Sequence, residues 1–338
     1  MSTSFSSNHN FSKGFFYVAD GTFNFYDTEK KTAYQDCYAS LNAGKTLGIG
    51  NYDSANIIHS NGKFYLLVGT STSNRDHFYI VDAKTLYYEN SAVVGANLSG
   101  LTILNEQYGL VTGDGIRRID LKSLNNVRIK NERLLCFYNS IIYNGKVLSN
   151  DTYKDESKVK YYDVNELIAA KEGEAPAVTE LDIIQKQKIN FVLAKDGNVY
   201  TLESADNGCN IVKIKYDFTL EKVFANFQPA KGPYHSSPTI GMVASETENI
   251  IYLVSTDGAI YKYILGDSDS LKAPFIAAES GVSITAPLQL NQQSGELYVT
   301  YTEERKDESK IVVYSKDGKV LYTVDCGESV PSQILFNN

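Results

Sequence analysis

A proline-rich segment between residues 228 and 238 is the part of this sequence best suited to hold a ligand. It contains three prolines and presents Tyr234 and His235 side by side. Prolines stiffen the free segment, so binding there would cost little conformational entropy. The imidazole of His235 is able to ligate a metal, although a lone histidine more often only forms hydrogen bonds. The segment predicts a rigid binding loop, with a loop that merely plugs a channel as the alternative.

Other residues with suitable chemistry lie in turn-rich segments elsewhere along the chain. Aromatic and guanidinium groups dominate the energetics of binding surfaces. Aspartates in predicted loops complete the set. For any single residue, a solvated loop position is the alternative. The candidate ligand-binding residues are Tyr52, Asp53, Arg75, Asp114, Tyr153, Tyr234, His235, Asp257 and Arg305.

Signatures of the common enzyme classes are missing from the sequence. It has no G-x-S-x-G, no H-E-x-x-H, no P-loop and no G-x-G-x-x-G. The prediction is a protein without catalytic residues, bound metal or cofactor. A paired-carboxylate site stays open as an alternative, because the 40 acidic residues could meet in space without any sequence motif.

The four cysteines do not predict a zinc site. They form no C-x-x-C pair, and no histidine lies at ligand spacing from them. Each is interpreted as a small residue of an apolar core. Cys37 and Cys326 lie near opposite ends of the chain, so a disulfide between them is conceivable if those ends meet.

Charge and hydropathy exclude several classes of protein. The net charge of −8 and the lack of a basic stripe disfavour nucleic acid as a partner. No apolar run approaches the roughly 18 residues of a membrane span. Residues 1–12 predict a disordered polar leader rather than a signal peptide, since they lack a basic region and an apolar core. A processed secreted protein expressed from an added methionine would look the same.

The composition favours a β-rich fold. Tyrosine occurs 25 times and phenylalanine 15 times, whereas tryptophan is absent. Tyrosine suits half-buried strands, because its ring packs while its hydroxyl finds a polar partner.

A weak pattern of alternating apolar residues followed by a polar turn recurs seven times. The average spacing from Asp27 to Asp317 is about 48 residues, which suits four short strands and their turns. Asp-Gly and Asn-Gly pairs at many of the turns are typical of tight hairpins. The copies are residues 23–27, 78–82, 116–120, 159–163, 211–217, 260–264 and 311–315.

This repeat predicts an all-β fold, a seven-bladed β-propeller formed by residues 13–338 as a single domain. The N-terminal region supplies only three strands, at residues 15–19, 22–27 and 32–38. The C-terminal residues 331–336 are therefore expected to complete blade 1 and to close the ring with backbone hydrogen bonds. Residues 164–174 predict a short helix inserted in blade 4.

Ligands of propellers usually meet the face where two kinds of connection emerge, those between blades and those from second to third strand. Loops carry function there because rigid strands position them. On this face the pattern places residues 51–54, 71–76, 114, 131–133, 149–157, 185–188, 204–208, 227–238, 257 and 303–308.

The sequence resembles the seven-bladed propeller lipoproteins on the surface of gut Bacteroidetes, which are related to YVTN-type propellers. Residues 14–27 resemble the first hairpin of that family, residues 47–85 its second blade, and residues 317–336 its closing strand. No lipobox cysteine precedes the domain in this sequence. The resemblance implies an extracytoplasmic protein at the outer-membrane surface or in the periplasm.

The same resemblance implies a function. Some members capture cobalamin and pass it to an outer-membrane transporter, so a corrinoid is one possible ligand and His235 one possible axial ligand. Three hypotheses follow: a non-enzymatic binder of a small nutrient, a scaffold in a surface uptake complex, and a propeller lyase or glycan-active enzyme. A deep pocket would favour the first, a flat apolar patch the second, and a carboxylate or histidine pair the third.

Overall fold

A computed structural model describes residues 9–45, 47, 55–68, 75–95, 98–113, 115–130, 140–150, 157–174, 176–185, 190–230, 241–303 and 308–337. Within these ranges most residues with regular structure lie in β-strands, which form seven sheets. No helix in the described part of the chain is long and apolar enough to cross a membrane.

The chain divides into two compact units, which are described separately. The first comprises Met1–Tyr138, Tyr162–Val178 and Gln333–Asn338. Its helices are α1 (Cys37–Leu41) and α2 (Val164–Ala169). Its strands are β1 (Gly14–Ala19), β2 (Thr22–Asp27), β3 (Thr32–Tyr34), β4 (Ala55–Ser60), β5 (Lys63–Val68), β6 (Asp76–Asp82), β7 (Tyr88–Gly95), β8 (Leu98–Ile103), β9 (Tyr108–Gly113), β10 (Gly115–Asp120) and β11 (Asn126–Lys130).

The second unit comprises Asn139–Tyr161 and Thr179–Ser332. The remaining strands are β12 (Ile141–Tyr143), β13 (Lys146–Asn150), β14 (Ser157–Asp163), β15 (Val178–Gln185), β16 (Val192–Leu193), β17 (Val199–Ala205), β18 (Gly208–Ile214), β19 (Leu220–Phe227), β20 (Met242–Ala244), β21 (Ile250–Val254), β22 (Ile260–Ile264), β23 (Val282–Ile284), β24 (Gln289–Leu290), β25 (Leu297–Glu303), β26 (Ser309–Tyr314), β27 (Val320–Gly327) and β28 (Pro331–Leu335).

The seven sheets confirm the predicted fold class, a seven-bladed β-propeller. In five of the seven sheets, strands that follow one another in the chain are neighbours, as in β4-β5-β6-β7 and β16-β17-β18-β19. Each copy of the repeated sequence pattern lies on or next to the third strand of its sheet. Those third strands are β2, β6, β10, β14, β18, β22 and β26.

The aspartate that ends most copies of the pattern forms the turn to the fourth strand. Asp82 Oδ1 accepts hydrogen bonds from the backbone N–H groups of Lys84 at 3.0 Å and Thr85 at 2.7 Å. Short polar side chains favour such turns, because they satisfy backbone groups that no strand partner reaches. Equivalent bonds are accepted by Asp27, Asp120, Asp163 and Asp217.

The C-terminal strand completes the first sheet, as predicted. Strand β28 pairs with β1 in the order β28-β1-β2-β3. Two amides beside it also reach the second sheet: Gln333 Nε2 donates to the carbonyl of Ile57 at 2.7 Å, and Asn337 Nδ2 donates to that of Ala83 at 2.6 Å. The closing strand therefore joins two blades of the first unit.

Two sequence predictions at the N-terminus need correction. Residues 9–12 are not part of a leader, because Phe11 is buried and its ring lies 5.1 Å from those of Phe16 and Phe25. The strand predicted over residues 32–38 ends at Tyr34, after which Asp36 caps helix α1. The predicted helix at residues 164–174 is confirmed as the shorter α2, between the third and fourth strands of its sheet.

The sixth sheet departs from the four-strand pattern. It has three strands, β20-β21-β22. The outer edge of β22 is covered by shorter segments: Ile260 N–H bonds the carbonyl of Ile276 at 2.9 Å, and Ile264 N–H donates to Ser270 Oγ at 2.9 Å. Such cover satisfies edge groups that would otherwise be free to pair with another chain.

Candidate functional site

Two of the nine candidate residues lie within the described residues. Arg75 is exposed and directly precedes β6 in the first unit, whereas Asp257 is exposed in the turn between β21 and β22 in the second. The other seven stay predictions, because they lie outside the described residues: Tyr52, Asp53, Asp114, Tyr153, Tyr234, His235 and Arg305.

The turn that holds Asp257 is closed by its own side chains. Ser255 Oγ donates a hydrogen bond to Asp257 Oδ1, which also accepts the N–H of Ala259 at 3.1 Å. The backbone N–H of Gly258 bonds the carbonyl of Ser255 at 2.9 Å. Hydrogen bonds from Ser255 and then Ala259 hold the pKa of the Asp257 carboxyl below its ordinary value. This turn presents a carboxylate that is charged at neutral pH.

The connection that leaves the fifth sheet is tied to this turn and to a neighbouring one. The backbone N–H of Thr256 donates to the carbonyl of Gln228 at 2.9 Å, and that of Ala230 donates to Val254 at the same distance. Gln228 Nε2 donates to the carbonyl of Asn207 at 2.5 Å. We term Asn207, Gln228 and Thr256 the surface joint, because all three are exposed.

The surface joint brings together three segments that the sequence placed on one face. Residues 204–208, 227–230 and 257 belong to those predicted segments, and Gln228 contacts or adjoins each of them. Glu203 lies next to the first segment, where its Oε2 accepts Asn210 Nδ2 at 2.8 Å. The region therefore offers carboxylate oxygens and an amide, the groups that orient a polar ligand by hydrogen bonding.

Gly208 makes this close approach possible. Its φ is +127°, a conformation that other residues rarely adopt. A Cβ atom there would lie 2.6 Å from the carbonyl oxygen of Phe227 and would also clash with the amide of Gln228. A side chain at position 208 would push Phe227 and Gln228 away from the turn between β17 and β18.

A second joint of the same kind is buried. Asn150 Nδ2 donates to Gln185 Oε1 at 2.6 Å, and Gln185 Nε2 donates to Thr201 Oγ1 at 2.9 Å and to the carbonyl of Leu202 at 3.0 Å. Thr201 Oγ1 in turn donates to the carbonyl of Asn190 at 3.1 Å. We term Asn150, Gln185 and Thr201 the buried joint, since their exposures are 8%, 1% and 0%.

The amides of both joints lie in loop segments that the sequence assigned to the binding face, but none was among the nine candidate residues. Asn150 is the last residue of β13, Gln185 is the last residue of β15, and Gln228 directly follows β19. Connections leave strands at these positions, so their backbone groups need partners other than the ladder. An amide at the last position of a strand, or directly after it, is the signal that would have found them.

The cysteines described by the structure are unpaired thiols, and the conceivable bond between Cys37 and Cys326 is wrong. Both are free, as is Cys209. Burial raises the pKa of Cys37 to about 12 and that of Cys209 to about 11, so neither is a ready nucleophile. Among the described residues, no group of three or more His, Cys, Asp and Glu could hold a metal ion.

Comparison with protein families decides the relationship of the chain. A family model described as "Domain of unknown function (DUF5074)" matches residues 11–337. The chain belongs to this family. The DUF5074 match begins at Phe11, in agreement with the burial of that residue.

Solved structures agree with the fold. A quinonprotein alcohol dehydrogenase-like protein from Bacteroides thetaiotaomicron is 99% identical, with a TM-score of 0.94 over 98% of this chain and 80% of that one. A functionally unknown protein from Desulfotomaculum acetoxidans is 12% identical, with a TM-score of 0.60 over 96% and 99% of the two chains. At 11% identity, Hsv2 from Kluyveromyces lactis has a TM-score of 0.52 over 99% and 98%. The last two share the fold alone.

A search of curated proteins found no match to the chain. The Bacteroides structure nevertheless supports the group of organisms that the sequence resemblance named.

Proposed function

We propose that this DUF5074 protein is a non-enzymatic binder of a small nutrient molecule, with a corrinoid such as cobalamin as the named candidate. The sequence resemblance to surface propellers supports the class of ligand. The surface joint supports the position of the binding site. It joins the β17–β18 turn, the β21–β22 turn and the connection that follows β19, all of which belong to the predicted binding face.

The observation that carries this proposal is the hydrogen bonding of Gln228. Its carbonyl oxygen and its side-chain amide hold two different turns at 2.9 Å and 2.5 Å. Loops that are already ordered lose little entropy when they bind, so more of the contact energy appears as affinity. In ligand sites, apolar contacts bury most of the ligand, and a few polar groups such as those of this joint fix its orientation.

The same proposal includes a location and a partner. We place the protein outside the cytoplasm, at the outer-membrane surface or in the periplasm, where it hands its ligand to an outer-membrane transporter. The resemblance to surface lipoproteins and the near-identical protein from a Bacteroides species support this placement.

Thermal unfolding with defined ligands tests the proposal. The purified protein is heated with cyanocobalamin, with cobinamide and with a free quinone cofactor, the last because the Bacteroides relative carries a quinonprotein name. A ligand present at about 100 times its Kd stabilises the folded state by roughly 2.7 kcal/mol, which raises the midpoint by several degrees. We expect a rise with a corrinoid and none with the quinone.

A matched pair of variants locates the site. Gln228→Ala removes the side-chain bond of the surface joint. Gln292→Ala removes a glutamine between β24 and β25 that bonds the backbone of Ala244 and Glu246, at and just after the end of β20. We expect the corrinoid shift to shrink in the first variant and to persist in the second. No shift with either corrinoid, or equal loss in both variants, would overturn the proposal.

A further inference from the structure

A row of four aromatic rings lies where the fourth and fifth sheets end in turns, away from the two joints. The ring of Tyr143 packs edge-on against Tyr216 at a centroid distance of 6.2 Å and against Phe218 at 5.8 Å. Phe218 stacks on Tyr161 at 4.6 Å. Tyr216 is the outermost ring and is 66% exposed, the highest value among the large apolar residues described.

The turn that presents Tyr216 is held from several directions. The N–H of Phe218 bonds the carbonyl of Lys215 at 2.8 Å, and Asn144 Nδ2 donates to the carbonyl of Tyr216 at 2.9 Å. Phe218 has a φ of +65°, which a bulky side chain rarely adopts. Phe218 also stacks on Tyr161. This ring contact and the two hydrogen bonds together fix the turn that carries Tyr216.

Polar groups surround the exposed ring. Asp217 is exposed next to it, and Asp217 Oδ1 accepts the hydroxyl of Thr219 at 2.6 Å. The Tyr143 hydroxyl donates to the carbonyl of Gly197 at 3.0 Å, beside Asp196. Burial and the negative charges of Asp196 and Asp217 raise the pKa of Tyr143, in keeping with two carboxylates close to one hydroxyl.

Two lysines and three carboxylates surround the ring, so one negative charge is left over. Lys213 Nζ lies 3.1 Å from Asp196, and Lys215 Nζ lies 3.0 Å from Glu221 while its charge also acts on Asp217. A set with one excess negative charge repels an anion and attracts a cation only weakly through salt. An exposed ring favours a ligand with an apolar face, and the flanking carboxylate and backbone favour one with hydroxyl groups. A neutral sugar ring has both properties.

We propose that Tyr216 and Asp217, supported by Tyr143 and Asn144, form a binding ledge for neutral carbohydrate. This site is separate from the surface joint and does not depend on the function proposed above. The sugar would lie with its C–H face on the Tyr216 ring, and Asp217 would accept hydrogen bonds from its hydroxyl groups.

Affinity gel electrophoresis tests the ledge. The full chain is run through native gels that contain xyloglucan, galactomannan, laminarin or polygalacturonate, and its mobility is compared with that in a plain gel. We expect retardation in at least one of the three neutral polysaccharide gels. Tyr216→Ala should weaken that binding about tenfold, since it removes the stacking surface. Asp217→Asn should weaken it less, because the amide keeps one acceptor.

Tyr87→Ala is the matched control, because Tyr87 is also an exposed tyrosine in a third-to-fourth-strand turn, at 45% exposure. It should bind like the wild type, and circular dichroism should show all variants folded. Retardation by none of the neutral polysaccharides, by polygalacturonate alone, or equally with and without Tyr216, would overturn the proposal.

Discussion

The buried joint and the surface joint use the same functional group in opposite surroundings. In each, a glutamine spans two connections: Gln185 bonds Thr201 and Leu202 as donor and Asn150 as acceptor, and Gln228 bonds Asn207 and Thr256. Gln185 is 1% exposed, whereas Gln228 is exposed to solvent. One joint is sealed from water and the other faces it.

This difference separates stability from binding. A buried amide without partners loses its hydration and gains nothing, so every group of the buried joint must stay satisfied. At the surface, water replaces a lost partner at small cost, and a ligand is able to do the same. The buried joint should therefore control unfolding, and the surface joint should control what the protein binds.

Replacement of Gln185 should lower the free energy of unfolding more than any other variant considered. Gln185→Leu leaves the amide of Asn150 without its acceptor and Thr201 without a donor, which should cost about 2 to 3 kcal/mol of unfolding free energy. Gln228→Leu should cost below about 1 kcal/mol, because water reaches the freed groups. Urea unfolding followed by tyrosine fluorescence measures both.

A double variant sharpens this first result. Asn150→Leu combined with Gln185→Leu removes the donor and the acceptor together, so part of the stability should return relative to Gln185→Leu alone. Equal losses for Gln185→Leu and Gln228→Leu would mean that burial does not distinguish the two joints.

Gly208→Ala should have the next largest effect. The added Cβ meets the carbonyl of Phe227, which cannot move without its strand, so the loss should be about 2 kcal/mol. Gly197→Ala is the control, because Gly197 also has a positive φ, +73°, but nothing lies within 4 Å of an added Cβ. The thermal midpoint of Gly208→Ala reports the clash together with backbone strain, whereas that of Gly197→Ala reports backbone strain alone. A smaller loss at position 208 than at 197 would remove the argument for close approach.

Ser255→Ala should have the smallest effect and act through pH. It removes a hydrogen bond that lowers the Asp257 pKa, so that pKa should rise toward its ordinary value. A carboxyl whose pKa is lower in the folded protein stabilises it above the unfolded pKa, and that contribution is lost as pH falls through the folded pKa. The difference in thermal midpoint between wild type and variant should therefore narrow below pH about 4.

Carbon-13 NMR titration of the aspartate carboxyls measures the shift directly. Asp217, whose pKa is lowered by Thr219, serves as the internal control and should titrate alike in both proteins. An unchanged Asp257 pKa in the variant would show that Ser255 does not hold the turn.

The strands and turns were predictable because their causes are local. An aspartate such as Asp82 or Asp120 ends most copies of the pattern. Its side chain accepts the backbone N–H groups two and three residues later, so the same turn forms wherever the pattern recurs. The closing strand was predictable because the first sheet was one strand short. The leader was predicted to extend too far, to residue 12. The polar residues on either side of Phe11 gave no sign in the sequence that its ring is buried.

The candidate site was predictable only as a set of loops. Segments 204–208 and 227–238 were assigned to one face, and the structure joins them through Gln228, which alternation of apolar residues does not distinguish from any solvated glutamine. Its role depends on Gly208, where an added Cβ would clash with the carbonyl of Phe227. That proximity arises only when β18 pairs with β19.

Local chemistry in this chain thus specifies seven repeats of three to five strands, their capped turns and a C-terminal strand that completes the first. Partnership between residues far apart in the chain comes from packing. Asn150 and Gln185 are 35 residues apart, and Asn144 and Tyr216 are 72 apart, yet each pair is within hydrogen-bond distance. Such contacts follow from how neighbouring sheets stack and curve, a property of side-chain volumes summed over whole sheets that no single segment of sequence contains.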